Sequence, residues 1–181
     1  MKPTDLKSLQ NQHISDVYPS VPMILVGMGT CGIGNGADAV FFKLKQYIET
    51  KQLPYILKKT GCFGYCSEEP LVTVYIPGKP LIVYHRVCGK DIAYIVKDIE
   101  KEKPYSAKVL CRIDEWDYPT SHHVFGKDYT EFPLWNEIPF FSGQKKIVLR
   151  DAGLINPESI TDYIAIGGYQ SLAKALNQMK P

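Results

Sequence analysis

Apolar residues fall along the chain in short blocks with two rhythms. Val21-Pro-Met-Ile-Leu-Val26 is almost continuously apolar, the pattern of a buried strand. Its Pro22 sits at the start, where a missing N–H does least harm. A glycine-rich stretch, Gly27 to Gly36, follows as a loop. Val40, Phe41, Leu44, Tyr47 and Ile48 then recur at helical spacing and predict a helix over about 37–51. Pro54 to Lys58 predicts a short second strand, and Thr60 to Pro70 a second loop. Leu71–Ile76 and Leu81–Tyr84 predict two further strands. Pro77-Gly-Lys-Pro80 between them suits a tight turn, because proline presets φ and glycine accepts positive φ. Ile92, Ile95, Val96 and Ile99 lie on one stripe and predict a helix over about 91–101.

The order β-α-β, hairpin, α describes a small α/β sandwich of thioredoxin-like type. The expected layout is a polar tail over 1–20, mobile or wrapped on a partner, with regular structure beginning at Val21 and the sandwich over 21–104. An extended arm follows over 105–139. Prolines 104, 119, 133 and 139 break up regular structure in and beside it. Yet Trp116, Tyr118, Phe125, Tyr129, Phe132 and Trp135 are too apolar for a free linker, so the arm should pack on this domain or on a partner. Over 140–181, Lys145–Leu149 predicts a short strand. Asn156-Pro157-Glu158 reads as a helix start with Asn156 as N-cap. Gly167-Gly168 ends that helix, and a last one carries Tyr169, Leu172, Ala173 and Leu176 on one face.

Composition narrows the function classes. The 181 residues carry 21 Lys+Arg against 19 Asp+Glu, a formal charge of +2, which gives no electrostatic reason to expect nucleic acid or an anionic membrane. No apolar run approaches a membrane span, and Met1–Ser20 lacks a signal-peptide core, so the expectation is a cytoplasmic protein. Its five cysteines then read as buried thiols, metal ligands or redox groups rather than as a disulfide frame.

Three places carry candidate chemistry. Gly27-x-Gly29-x-x-Gly32 lies between a strand and a helix at dinucleotide-fingerprint spacing, with Glu49 placed for a ribose contact. Against it, Thr30-Cys31 occupies the turn where phosphate would approach, and the chain does not continue as a parallel sheet. Cys31, Cys62 and Cys66 lie in two loops that such a sandwich brings to one end, where thiolates hold iron and flanking glycines aim N–H groups at sulfur. A [2Fe–2S] centre takes four protein ligands. Neither Cys88 nor Cys111 is an obvious fourth, and three inert thiols remain the alternative. His122-His123 with Cys111 and Asp114 matches no familiar zinc spacing and reads as an exposed or partner-facing pair. Glu68-Glu69 and Asp114/Glu115/Asp117 read as solvated or helix-capping charge.

Several of these motifs together resemble one family. Gly29-Thr-Cys-Gly-x-x-x-Gly-Ala37, Thr60-Gly-Cys-x-Gly-x-Cys66 and Glu69-Pro-Leu-Val-x-Val-Tyr-x-Pro-Gly78 resemble the thioredoxin-like [2Fe–2S] ferredoxin domain. They are most similar to the version fused to the NADH-binding flavoprotein subunit of soluble NAD(P)-dependent hydrogenases and formate dehydrogenases, itself related to the NADH–quinone oxidoreductase subunit. Ile138-Pro-Phe-Phe-x-x-Gln144, Ile147-Val-Leu-Arg150, Gly153-Leu-Ile-x-Pro-Glu-Ser159 and Tyr163-Ile-Ala-x-Gly-Gly-Tyr169 resemble the start of that flavoprotein body.

The resemblance implies Cys31, Cys62 and Cys66 as three of four cluster ligands, with Val26 where the first ligand stands in the family. It also implies that FMN and NAD are not bound by this chain, which ends at Pro181 before the family's flavin/NADH loop, so that it does not oxidise NADH alone. The implied setting is a cytoplasmic NAD(P)H-linked iron–sulfur oxidoreductase complex. The implied partners are its other subunits, or further copies of the chain. Two roles stay open: a one-electron carrier, with the fourth ligand from Cys88, a non-cysteine group or a partner, and a cluster-free docking or assembly module. A nucleotide-binding module using Gly27, Gly29 and Gly32 is the third.

Overall fold

The structure, a computed structural model, describes residues 3–118 and 121–180. Pro119 of the arm therefore lies outside the described residues. A helix α1, Pro3–Val17, precedes strand β1, Met23–Gly27. A single-turn helix α2, Thr30–Gly34, and the longer α3, Ala37–Lys51, lead to β2, Ile56–Thr60. β3, Val72–Tyr75, and β4, Leu81–Tyr84, form the predicted hairpin, and α4 spans Ile92–Glu100. Gly78 takes φ 77° in the connecting turn, as the Pro-Gly pair requires. Beyond these come β5, Val109–Ile113, β6, Glu115–Asp117, and β7, His122–Val124. Three short helices close the chain: α5, Pro139–Ser142, α6, Ile160–Ala165, and α7, Gln170–Gln178.

The main sheet has five strands in the order β2-β1-β3-β4-β5. β1 runs parallel to β2 and antiparallel to β3, and the remaining pairs are antiparallel. The fold is mixed α/β, with the β-α-β, hairpin, α order of a thioredoxin-like sandwich. α3 and α4 cover one face, setting Val40, Leu44, Ile95 and Ile99 against Ile24, Val26, Val74 and Ile82. On the other face Met23, Leu25, Val83 and Cys111 meet Phe63, Phe125, Phe141 and Leu154. Every residue of β1, β3 and β4 is buried because both faces are covered, which explains their apolar runs, broken only by Thr73.

The structure departs from the sequence reading in four places. The expected tail contains a helix: α1 packs on α6, with Leu6 and Val17 each 3% exposed. The expected arm supplies β5, the fifth strand of the sheet, and a β6–β7 hairpin; Trp116, Phe125 and Trp135 pack on the second face, while Tyr129 and Phe132 join the α3/α4 side. Lys145–Leu149 is not a strand, and Val148 is 93% exposed. β5's outer edge is already occupied by the arm, through the Arg112 N–H donating to the Pro133 carbonyl at 2.9 Å, so that edge has no room for it. Finally, the N-cap of α6 is Ser159, whose hydroxyl accepts from Asp162 N–H at 3.1 Å; Asn156 instead closes a turn onto Glu158 N–H.

Candidate metal centre

β1 ends at Gly27, and the chain turns at once into α2, which carries Cys31 exposed on its first turn. β2 ends at Thr60, level with Gly27 in the parallel pair, and releases the loop bearing Cys62 and Cys66 at the same edge. The two cysteine loops meet there. A Cβ on Gly29 would sit 2.8 Å from the Cys62 Cβ, so only glycine lets them touch. Cys31 and Cys66 are free thiols close to one another, and hydrogen bonding with Cys66 holds Cys31 above the ordinary thiol range. Gly64 N–H donates to Cys62 Sγ at 3.1 Å. Cys62 is half-buried, and burial, reinforced by its bond to Glu69, pushes its thiol up to about 12. A metal therefore has to displace that proton on binding.

Glu69 is the residue the sequence reading missed. It is 5% exposed, not a solvated charge. Its Oε1 accepts from the Cys62 thiol at 3.0 Å, and its Oε2 accepts from Leu71 N–H at 2.7 Å. A Cβ on Gly27 would lie 3.5 Å from both carboxylate oxygens, and one on Gly32 would lie 3.2 Å from Oε2. Gly29 and Gly32 thus make room for Cys62 and Glu69, whereas a Cβ on Gly27 would fit. A carboxylate fills the space where a dinucleotide's phosphate would approach, which repels that ligand. Glu49 lies at the far end of α3 and pairs loosely with Lys45 at 3.9 Å. The early signals for Glu69 were its place at the head of the Glu69-Pro-Leu-Val motif and its position one proline ahead of a largely apolar strand.

Neighbouring segments fix the second loop. Glu68 pairs with His85 at 2.5 Å and Arg86 at 2.8 Å. Those bonds outweigh its partial burial and hold its carboxyl below the usual range. Tyr65 stacks on Phe140 at 4.1 Å, and Lys146 Nζ donates to the Phe63 carbonyl at 2.5 Å. Residues from the C-terminal segment therefore buttress the cysteine loop.

The other candidates are placed elsewhere. Val26 is fully buried among the α3-facing core residues, not turned toward the thiols. Cys88 is engaged by Asp91 Oδ2 at 3.1 Å, at the start of α4. Cys111 is buried on β5, where burial pushes its thiol up to about 12. His122 bonds Asp117 at 2.8 Å in the open, while His123 stacks on Tyr18 at 3.7 Å, so the pair does not converge. A cleft of about 790 Å³ on the arm, lined by Arg112, Trp116, Trp135 and Arg150, lacks the thiols.

Three thiols and a buried carboxylate thus gather at one end of the sheet. Among the described residues no group of three or more His, Cys, Asp or Glu is placed closely enough to hold a single metal ion. The donor types nevertheless suit iron–sulfur ligation: soft thiols on two glycine-rich loops, with an N–H aimed at sulfur. No helix among the described residues is long and apolar enough to cross a membrane.

No protein-family model matches the chain. Among solved structures it is similar to the thioredoxin-like [2Fe–2S] ferredoxin from Aquifex aeolicus. The wild-type structure shares 23% identity, with a TM-score of 0.45, over 50% of this chain and 97% of the other. A further structure of a ferredoxin from that organism shares 21%, with a TM-score of 0.46, over 51% and 93%.

Proposed function

We propose that the chain is an electron-transfer module that holds a [2Fe–2S] cluster at Cys31, Cys62 and Cys66. The observation that supports this is the meeting of the three thiols where β1 and β2 end, on loops whose glycines permit the approach. The cluster supplies one-electron chemistry. The chain's own groups bind and orient: Gly64 N–H stabilises the Cys62 sulfur, and the aromatic buttress keeps water from one side.

The finer reading places this module in a cytoplasmic NAD(P)H-linked oxidoreductase complex. The motif resemblance over 138–169 supports it. So do Leu172 and Leu176 on α7, 53% and 77% exposed, and Val148 beside them in kind, which leave apolar surface for another subunit or a second copy. The competing reading, a cluster-free docking module, is favoured by Val26 standing in the core where the family's first ligand would be. One experiment separates them. The protein is purified without oxygen, its visible spectrum recorded, and its iron and sulfide measured before and after reconstitution. A brown protein with about two irons per chain is expected. A colourless, iron-free protein after reconstitution overturns the carrier and leaves the docking module.

A further inference from the structure

We infer that Glu69 is the fourth ligand of the centre, an oxygen donor beside the three thiolates. This rests on the cluster reading above. A four-coordinate pair of irons needs one donor more than Cys31, Cys62 and Cys66 supply. Cys88 is held by Asp91, and Cys111 faces the aromatic side of the sheet. Among the described residues, Glu69 is the carboxylate that hydrogen-bonds one of the three sulfurs.

Its placement is that of a ligand rather than of a surface charge. The carboxylate is buried, and its hydrogen bonds come from one backbone N–H and one thiol. Leu71 N–H anchors Oε2, which leaves Oε1 directed at the Cys62 sulfur. The carboxylate also stands beside Gly27, one residue past Val26, so it fills space that a side chain from the end of β1 would otherwise reach. Residue 69 thus supplies the donor that Val26, whose side chain lies in the α3-facing core, does not.

The chemistry balances without an oxidant. Two ferric ions and two sulfides enter, the three thiols release their protons to solvent, and Glu69 Oε1, which no longer accepts from the Cys62 thiol, binds iron. No electron moves in that step. The mixed S₃O set makes a chemical distinction from a four-thiolate centre, because a carboxylate donates less charge than a thiolate and shifts both the spectrum and the potential.

The test uses the whole chain, loaded with ferric iron and sulfide, with Glu69→Gln, Glu69→Ala and Glu69→Cys beside it. Far-ultraviolet circular dichroism of the metal-free proteins checks the fold. Iron retention against a chelator should fall at least about ten-fold in Glu69→Gln and Glu69→Ala. Glu69→Cys should retain iron, with stronger sulfur-to-iron absorption and a lower potential. Equal retention and unchanged spectra in all three variants would overturn the assignment while leaving the cluster intact. A parent that takes no iron would overturn the cluster reading itself. A second readout needs no variant: with ¹³C in the glutamate carboxyls, the reduced parent should show ¹³C hyperfine coupling to the cluster, and its absence would also overturn Glu69.

Discussion

At the scale of single residues, Cys111 shows how burial alone changes a thiol. It is fully buried on β5, and its thiol titrates at about 12 instead of the ordinary 9.0. Between those values the unfolded chain has released a proton that the folded chain still binds. Stability therefore falls as pH rises through that window, and the effect is absent below it. In the metal-free protein, Cys111→Val should flatten the decline of the urea midpoint with pH over that range. Equal declines in both proteins would refute the link. Cys31, Cys62 and Cys66 were legible as a group because loop order and glycine flanks carry that information. Glu69 was not, since Glu is usually solvated, and only contacts across the fold with Gly27, Gly32 and Leu71 N–H bury it.

At the scale of elements, the helices that proved easy to read are those with a wide apolar stripe. α3 buries Val40, Leu44 and Ile48, and α4 buries Ile92, Ile95, Val96 and Ile99. α1 escaped because it carries few apolar residues, of which Leu6 and Val17 are buried, and polar bonds do much of its docking. Gln10 donates to the Ala165 carbonyl at 3.1 Å. Lys58 of β2 donates to the Asp16 carbonyl at 2.6 Å and to the buried Asp162 carboxylate at 3.1 Å. That one ammonium joins a strand to the end of α1 and to α6. Lys58→Met removes the counter-ion of the buried Asp162, leaving it only the Ser159 hydroxyl and the Asn156 N–H as donors, and should destabilise the protein by about 3 kcal/mol in urea unfolding. A loss below about 1 kcal/mol would mean that water replaces the ammonium. Pairing of this kind joins positions 104 apart in sequence and leaves no local signature.

At the scale of the molecule, the segments outside the sandwich are part of its core. Val17, Tyr118, Ile155, Ala165 and Ile166 form one buried cluster drawn from both ends of the chain and from the arm. Removing residues 1–20 uncovers it and should lower the thermal midpoint by at least about 5 °C, with increased binding of a hydrophobic dye. An unchanged midpoint would show that α1 contributes nothing to stability. The fold order was legible because each strand and helix of the sandwich carries its own pattern; the closing of the second face was not, because it depends on where a proline-broken, aromatic segment lands. That closing also decides traffic at the thiols. Phe63, Trp135 and Phe141 wall one side, while Cys31 and Cys66 face water on the other. If the proposed cluster is held between them, its short route to solvent lies on one side only. Donor and acceptor that both dock there would have to take turns, as at a shuttle that is filled and then emptied rather than a wire with two ends.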